Sequence, residues 1–158
     1  MTRYLYGFLA VVAVLAAVFS YRTSYKTPAL PASPAQTAEF GGMSLRLEYA
    51  TTEAERERGL SGRENIPDDY GMLFLFPKDD YYGFWMKDML APIDIFWLNS
   101  DRHVVSITKD IATSTYPNVF YPPVPVRYVL ETAAGLARLN GIATGTPLRL
   151  KNFPSITK

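Results

Sequence analysis

Apolar and polar side chains alternate through residues 44–49. This period of two predicts a half-buried strand, because successive side chains of a strand point to opposite faces. Thr52 and Glu55 follow with the spacing of a capping box, which predicts a short helix that ends near Arg58. Gly59 then favours the end of this helix, since glycine readily adopts the left-handed conformation of a C-terminal cap.

Further along, three aromatic and β-branched runs are separated by proline, aspartate and glycine, which predicts three central strands. These runs are residues 72–76, 83–87 and 93–98. The turn-forming residues 99–102 lead from the third run into the apolar residues 104–107. Such an arrangement predicts a β-hairpin.

The remaining pattern predicts a strand at residues 126–130, a short helix at 132–139 closed by Asn140 and Gly141, and a last strand at 148–150. Short strands with two small helices favour an α+β fold on a mostly antiparallel or mixed β-sheet, with a barrel-like closure as an option. A doubly wound parallel sheet does not fit. Its crossovers each need about a dozen residues or more, and there are too few helices to supply them.

The N-terminal pattern is different, because residues 4–21 are uncharged and mostly apolar, between Arg3 and Arg22. A helix of this length reaches about 27 Å, close to the roughly 30 Å hydrocarbon thickness of a bilayer. Residues 1–21 are therefore predicted to be an N-terminal transmembrane anchor. A cleaved signal peptide is the alternative, although no Ala-x-Ala triplet follows the apolar run.

Both readings of this segment place the rest of the chain in the periplasm or another extracytoplasmic space, or secrete it if the leader is cleaved. Residues 22–38 contain Pro28, Pro31 and Pro34 and predict a semi-stiff linker. The globular domain is then expected at residues 39–151, with a short tail at 152–158. Membrane contact is expected through residues 4–21.

Charge and composition remove several classes of function. From Glu39 onward the chain carries 13 basic and 15 acidic residues, so the domain has no basic excess with which to bind nucleic acid. The absence of cysteine excludes thiol catalysis and thiolate metal sites, and the single histidine, His103, excludes a two-histidine metal site. Ser61 lacks the glycine spacing of a nucleophile elbow. No metal or cofactor is expected.

Five ordered blocks carry a resemblance to a known family. They are GLSGR at residues 59–63, GMLF at 71–74, FWMKD at 84–88, PIDI at 92–95, and YVLE at 128–131 with Ala134 and Gly135. In this order they resemble the uncharacterised family called DUF192 or UPF0127. The resemblance implies an exported or anchored domain without an established activity. Asp88 departs from the family pattern, which usually has asparagine there.

Asp94 is the first candidate for a functional residue. If residues 93–98 form a strand, both faces around Asp94 are apolar, and an unpaired buried charge there would cost several kcal/mol. Asp94 therefore needs a cationic or amide partner, for which Arg63 and Lys87 are the candidates. Two interpretations follow, a buried pair that fixes a loop to the sheet or a functional carboxylate on the floor of a cleft.

A second group of candidates lies at strand ends. Lys87 and Asp88 follow the aromatic run that contains Trp85, and a few polar groups on an apolar wall are typical of small-ligand sites. Packing of this run in the core is the alternative. Glu131 precedes the second predicted helix, where it could either belong to the site or stabilise the amides of the first helical turn.

These candidates support three hypotheses of function. The first is a tethered small-ligand-binding or accessory module whose site contains a charged and aromatic set: Arg63, Trp85, Lys87, Asp88, Asp94 and Glu131. The second is a hydrolase or lyase that uses Asp94 and Asp88 as an acid and base pair, which requires environments that separate the two pKa values. The third is an envelope scaffold that binds an unspecified protein through the proline-rich and aromatic residues 116–125.

Overall fold

The computed structural model describes residues 36–151. The predicted membrane segment at 4–21, nearly all of the predicted linker and the tail at 152–158 lie outside the described residues. Within residues 36–151 there is no helix long and apolar enough to cross a bilayer.

The described residues form nine β-strands and two short α-helices. In chain order these are β1 (Gln36–Phe40), β2 (Met43–Ala50), α1 (Glu53–Arg58), β3 (Tyr70–Asp80), β4 (Phe84–Trp85), β5 (Ile93–Leu98), β6 (Val104–Ile111), β7 (Val119–Phe120), β8 (Val126–Ala133), α2 (Leu136–Leu139) and β9 (Arg149–Leu150). β1 begins at Gln36, ahead of the expected domain boundary at Glu39.

Seven of these strands form one mixed sheet in the order β6-β5-β8-β3-β2-β1-β9. All neighbours are antiparallel except β2 and β3, which are parallel and are joined by α1 and the loop that follows it. The α+β class, the two short helices and the β5–β6 hairpin are confirmed. The sheet is not a closed barrel, because β6 and β9 do not pair, although an isolated bridge joins His103 to Pro147 near their ends.

Two local predictions were wrong. The run at residues 83–87 is not a central strand, because β4 contains only Phe84 and Trp85 and pairs with β7 in a separate two-stranded sheet. The second helix is shorter than residues 132–139. Thr132 and Ala133 belong to β8, where they pair with β5, so α2 contains only Leu136–Leu139.

The two faces of the large sheet bury separate apolar clusters. In β8, Val129 packs in one cluster together with Phe74 of β3 and Ile95 of β5, whereas Leu130 packs in the other cluster with Phe96. Because side chains alternate along a strand, Glu131 faces the same side as Val129 and Ile95. Asp94 faces the opposite side, with Phe96.

The α1 helix begins with the predicted capping box. The Thr52 hydroxyl accepts a hydrogen bond from the Glu55 amide at 3.2 Å, and the Glu55 carboxylate accepts one from the Thr52 amide at 2.9 Å. Backbone amides of Thr52 and Thr51 lower the pKa of Glu55 to about 2. The carboxylate therefore stays ionised at neutral pH and holds the first turn of α1 in place.

Replacing Thr52 by alanine is expected to destabilise the protein by about 1 kcal/mol, because the Glu55 amide loses its acceptor. Urea unfolding of the full chain measures this change, with Thr144→Ala in an exposed turn as the matched control. A cost no larger than that of the control would show that the cap does not stabilise α1.

Candidate functional site

A cleft of about 340 Å³ lies beside α1 and the loop after it, on the face of the sheet that carries Glu131. Aromatic and apolar side chains form its walls, and charged residues of α1 together with Ser61 line its rim. The wall residues are Leu60, Phe74, Phe76, Tyr82, Phe84, Trp85 and Met89, and the rim residues are Glu53, Arg56, Glu57, Arg58 and Ser61. Gly59 and Gly83 also line the cleft.

Glu131 is the only buried acid that lines this cleft among the residues that the structure describes. Its side chain extends from β8 and is 4% exposed, and its Oε2 atom has no hydrogen-bond partner within residues 36–151. Burial raises the pKa of Glu131 to about 8, while the positive charge of Arg63 acts weakly in the opposite direction. The carboxyl group is therefore mostly protonated at neutral pH.

Gly59 brings the backbone close to this carboxyl. Its φ of +51° is positive, which favours glycine, but its ψ of −134° lies outside the left-handed helical conformation predicted for this cap. A Cβ atom at this position would lie 3.3 Å from the Phe74 ring and 3.6 Å from Glu131 Oε2. Glycine thus permits the chain to turn directly over the floor of the cleft.

The aromatic walls are held by ring contacts. Phe74 and Phe84 meet edge to face with centroids 4.9 Å apart, and Phe76 stacks on Tyr82 at 3.5 Å. Trp85 is 47% exposed, and its ring meets that of Tyr116 edge-on at 6.5 Å. The walls are therefore ordered by their own packing, with Trp85 left at the mouth.

Arg63 does not pair with Asp94, contrary to the prediction. Its guanidinium lies 3.0 Å from the Glu48 carboxylate and donates a hydrogen bond of 2.7 Å to the Tyr70 hydroxyl, which in turn donates one of 2.6 Å to Glu48. This half-buried triad joins β2, β3 and the loop after α1. Arg63 acts on Glu131 through its charge and does not line the cleft.

Lys87 and Asp88 are exposed and lie outside the lining of the cleft. Their backbone carbonyls support its rim, because the Ser61 hydroxyl donates a hydrogen bond to the Lys87 carbonyl at 2.9 Å and the Gly62 amide donates one to the Asp88 carbonyl at 2.8 Å. The two residues thus position a loop of the site without presenting their side chains to it.

Asp94 is fully buried, and both of its carboxylate oxygens are occupied. Oδ1 accepts a hydrogen bond from the Asp110 amide at 2.8 Å, and Oδ2 accepts one from the Ala137 amide at 2.9 Å. The amide alternative of the prediction is therefore correct, and the cationic partners Arg63 and Lys87 are wrong. Asp94 ties β5 to the end of β6 and to α2, on the sheet face opposite Glu131.

Of the six predicted site residues, the cleft contains Trp85 and Glu131. Sequence reasoning did not single out the contributions of α1, Phe74 and Phe76. The one sequence signal for this cleft was Glu131, an acid that directly follows the apolar pair Val129 and Leu130. The α1 contributions carry no such signal, because a solvated helix has the same composition.

A second hollow, of about 550 Å³, lies at the turn between β1 and β2 and beside β9. Its polar side chains, including Glu39, Ser44 and Arg149, are exposed. It offers no desolvated polar group that could orient a ligand. The Glu131 cleft is therefore the candidate site.

Two known crystal structures share this fold. A Sinorhizobium meliloti 1021 protein, named as a candidate transcription regulator, is 27% identical with a TM-score of 0.71, covering 77% of this chain and 98% of that one. A Novosphingobium aromaticivorans protein of unknown function is 32% identical with a TM-score of 0.67, covering 79% and 94% of the two chains.

Two archaeal relatives are similar in sequence. The UPF0127 protein of Thermococcus gammatolerans is 32% identical over 101 residues, which are 63% of this chain and 62% of that protein. The UPF0127 protein of Thermococcus kodakarensis is 28% identical over 102 residues, covering 63% and 61%. The chain thus spans about three fifths of the length of these relatives. The family model DUF192, described as an uncharacterized ACR, matches residues 36–150, and the chain belongs to this family.

Proposed function

We propose that this domain is a small-ligand-binding module whose site is the cleft beside α1. The single observation that supports this proposal is the buried carboxyl of Glu131, whose Oε2 atom lacks a hydrogen-bond partner among residues 36–151 and which lines an aromatic cleft. A buried polar group without a partner is costly, and a ligand that supplies the partner recovers that cost on binding. Small-ligand sites typically combine apolar walls with few convergent polar groups.

We further propose that residues 4–21 tether the module to a membrane, with the domain on the extracytoplasmic side. The uncharged length of this segment and the proline-rich linker behind it support the tether.

The alternative of an enzyme with Asp94 and Asp88 as an acid and base pair has no comparable support. Asp94 is buried with both oxygens occupied by backbone amides, and Asp88 is exposed.

The chain offers its own reporter for ligand binding. It contains two tryptophans, of which Trp97 is fully buried and Trp85 stands at the mouth of the cleft. A fragment library screened against the full chain is expected to yield ligands that change the fluorescence of Trp85. Two-dimensional NMR then locates the perturbed amides, which are expected around Gly59, Ser61 and Glu131.

Replacing Trp85 by alanine is expected to weaken these ligands about tenfold or more, because one aromatic wall is lost. Trp85→Phe keeps a ring and should retain most of the affinity, and Tyr121→Ala is a control at an exposed aromatic outside the cleft. If Trp85→Ala retains every ligand at full affinity, or if the perturbed amides lie elsewhere, the site assignment is wrong.

A scaffold function remains the second candidate, favoured by exposed aromatic side chains around the β4–β7 ribbon. Tyr116 is 48% exposed and Tyr121 is 61% exposed. A photoreactive residue at position 121 is expected to crosslink a protein partner if this surface is the functional one. Crosslinks there, together with a cleft that no fragment enters, would replace the ligand-binding proposal.

A further inference from the structure

The Glu131 cleft has a buried acid on its floor and mostly aromatic side chains on its walls. The Oε2 atom of this acid has no hydrogen-bond partner within residues 36–151. Carboxylates and aromatic ring faces both attract positive charge. We infer that the cleft binds an organic cation, an ammonium group on an apolar body, with its nitrogen against the Glu131 carboxyl. This inference rests on the proposed function.

The cleft, of about 340 Å³, has different surroundings for the two parts of such a ligand. Phe74 and Gly59 border Oε2 of the carboxyl, so the charged nitrogen would approach Glu131 beside the Phe74 ring. Tyr82, Phe84 and Trp85 line the way out to the mouth and would contact the apolar body. The negative face of an aromatic ring attracts an ammonium group, and this attraction strengthens as water is excluded.

Two of the three arginines at or near the cleft, Arg56 and Arg63, are already engaged, which favours a cationic over an anionic ligand. Arg56 donates a hydrogen bond of 3.1 Å to the Leu75 carbonyl and places its guanidinium 5.3 Å from the centre of the Phe76 ring. Arg63 is held by Glu48 and Tyr70. Among the described residues of the rim, Arg58 has no such contact, but the nearby Glu53 and Glu57 balance the charge of the two rim arginines.

Binding of an ammonium group is expected to release the proton of the Glu131 carboxyl. The carboxyl is mostly protonated in the empty cleft at neutral pH, because burial raises the pKa of Glu131 to about 8. An ammonium group beside it favours the ionised form, so the neutral acid and the ammonium ion combine to give an ion pair and one released proton. Affinity should rise as pH increases towards 8, by at most about tenfold per pH unit, and then level off.

The described groups around the Glu131 carboxyl add no second buried acid to the cleft. Its neighbours from β3, β4 and β5 carry no charge, and the charges come from α1 and the loop after it. The neighbours are Met72, Phe74, Phe84, Trp85 and Ile95, the titratable wall residue is Tyr82, and the charged groups are Arg63, Glu53, Arg56, Glu57 and Arg58.

The test compares matched probes on the full chain. 2-Phenylethylamine and 2-phenylethanol have nearly the same size and shape, but only the amine is charged at neutral pH. We expect the amine to bind more tightly, to gain affinity between pH 6 and pH 8, and to release a proton in calorimetry with buffers of different ionisation enthalpy. Benzylamine and benzyl alcohol provide a second matched pair.

Glu131→Gln is expected to abolish the preference for the amine and its pH dependence. Glu64→Gln, at an exposed position outside the cleft, should change neither. Equal or tighter binding of the alcohols, or binding of neutral and anionic fragments only, would overturn the cation inference and leave the ligand-binding proposal intact. If no probe and no library fragment perturbs the cleft at millimolar concentration, both proposals fail.

Discussion

Replacing Glu131 by glutamine is expected to remove a pH-dependent loss of stability that the wild-type protein suffers between about pH 5 and pH 8. The ordinary pKa of a glutamate is 4.5, and burial raises the folded-state pKa of Glu131 to about 8. Below both values the acid is protonated in both states. Between them only the unfolded chain releases the proton, so unfolding becomes easier as pH rises, and above 8 the effect levels off.

The expected magnitude is large for one side chain. Each unit of pKa difference corresponds to about 1.4 kcal/mol, so the wild type should lose about 3 to 5 kcal/mol relative to Glu131→Gln across this interval. Glutamine keeps the size of the side chain but does not ionise. The two proteins should therefore have similar stability near pH 4.5 and differ most at pH 8.

Urea unfolding at pH 5, 6.5 and 8 measures this difference, and subtracting the two proteins cancels the contribution of every other titrating group. Glu64→Gln is the matched control, since the side chain is exposed and should leave the pH profile unchanged. A constant difference between wild type and Glu131→Gln at all three pH values would contradict the desolvated state of this carboxyl.

Asp94→Ala is expected to destabilise the protein by about 3 to 5 kcal/mol. The substitution leaves the amides of Asp110 and Ala137 without their acceptor in a buried site, and each unsatisfied amide costs about 1 to 3 kcal/mol. Asp94→Asn keeps one acceptor oxygen but presents its amino group to the other backbone donor. Its cost should therefore be smaller but still measurable.

Thermal and urea unfolding of both variants test this role, with Asp101→Ala at an exposed turn as the control. If Asp94→Ala is too unstable to purify, Asp94→Asn provides the measurement. Stability within about 1 kcal/mol of wild type for the alanine variant would show that Asp94 does not hold α2 and β6 in place.

These two acids show how far sequence reasoning could go. The apolar surroundings of Asp94 correctly indicated a buried carboxylate, because alternation along a strand is visible in the sequence. Its partners were not visible, since backbone amides that are 16 and 43 residues away have no side-chain signature. Glu131 was considered as a possible partner of helical amides, but Asp94 accepts the hydrogen bond from α2.

The strands, too, were identified from the sequence only in part. Clear alternation, or runs of aromatic, aliphatic and β-branched residues, identified β2, β3, β5, β6 and β8, and the hairpin followed from its turn residues. Thr132 and Ala133 were misread because pairing with β5 outweighs the local helical propensity of the residues around them. The run at residues 83–87 was misread because Phe84 enters the core from a two-residue strand and Met86 from the loop after it, where burial produces the same apolar run as a long strand.

The position of β8 has a consequence for how the chain is made. β8 lies between β3 and β5 in the sheet although it is synthesised after both. While the chain emerges from a ribosome, these two hydrophobic strands are present before the neighbour that they share. Their open edges are templates for pairing with other chains until residue 133 is available. A nascent chain that lacks β8 is therefore expected to aggregate more readily than the complete domain.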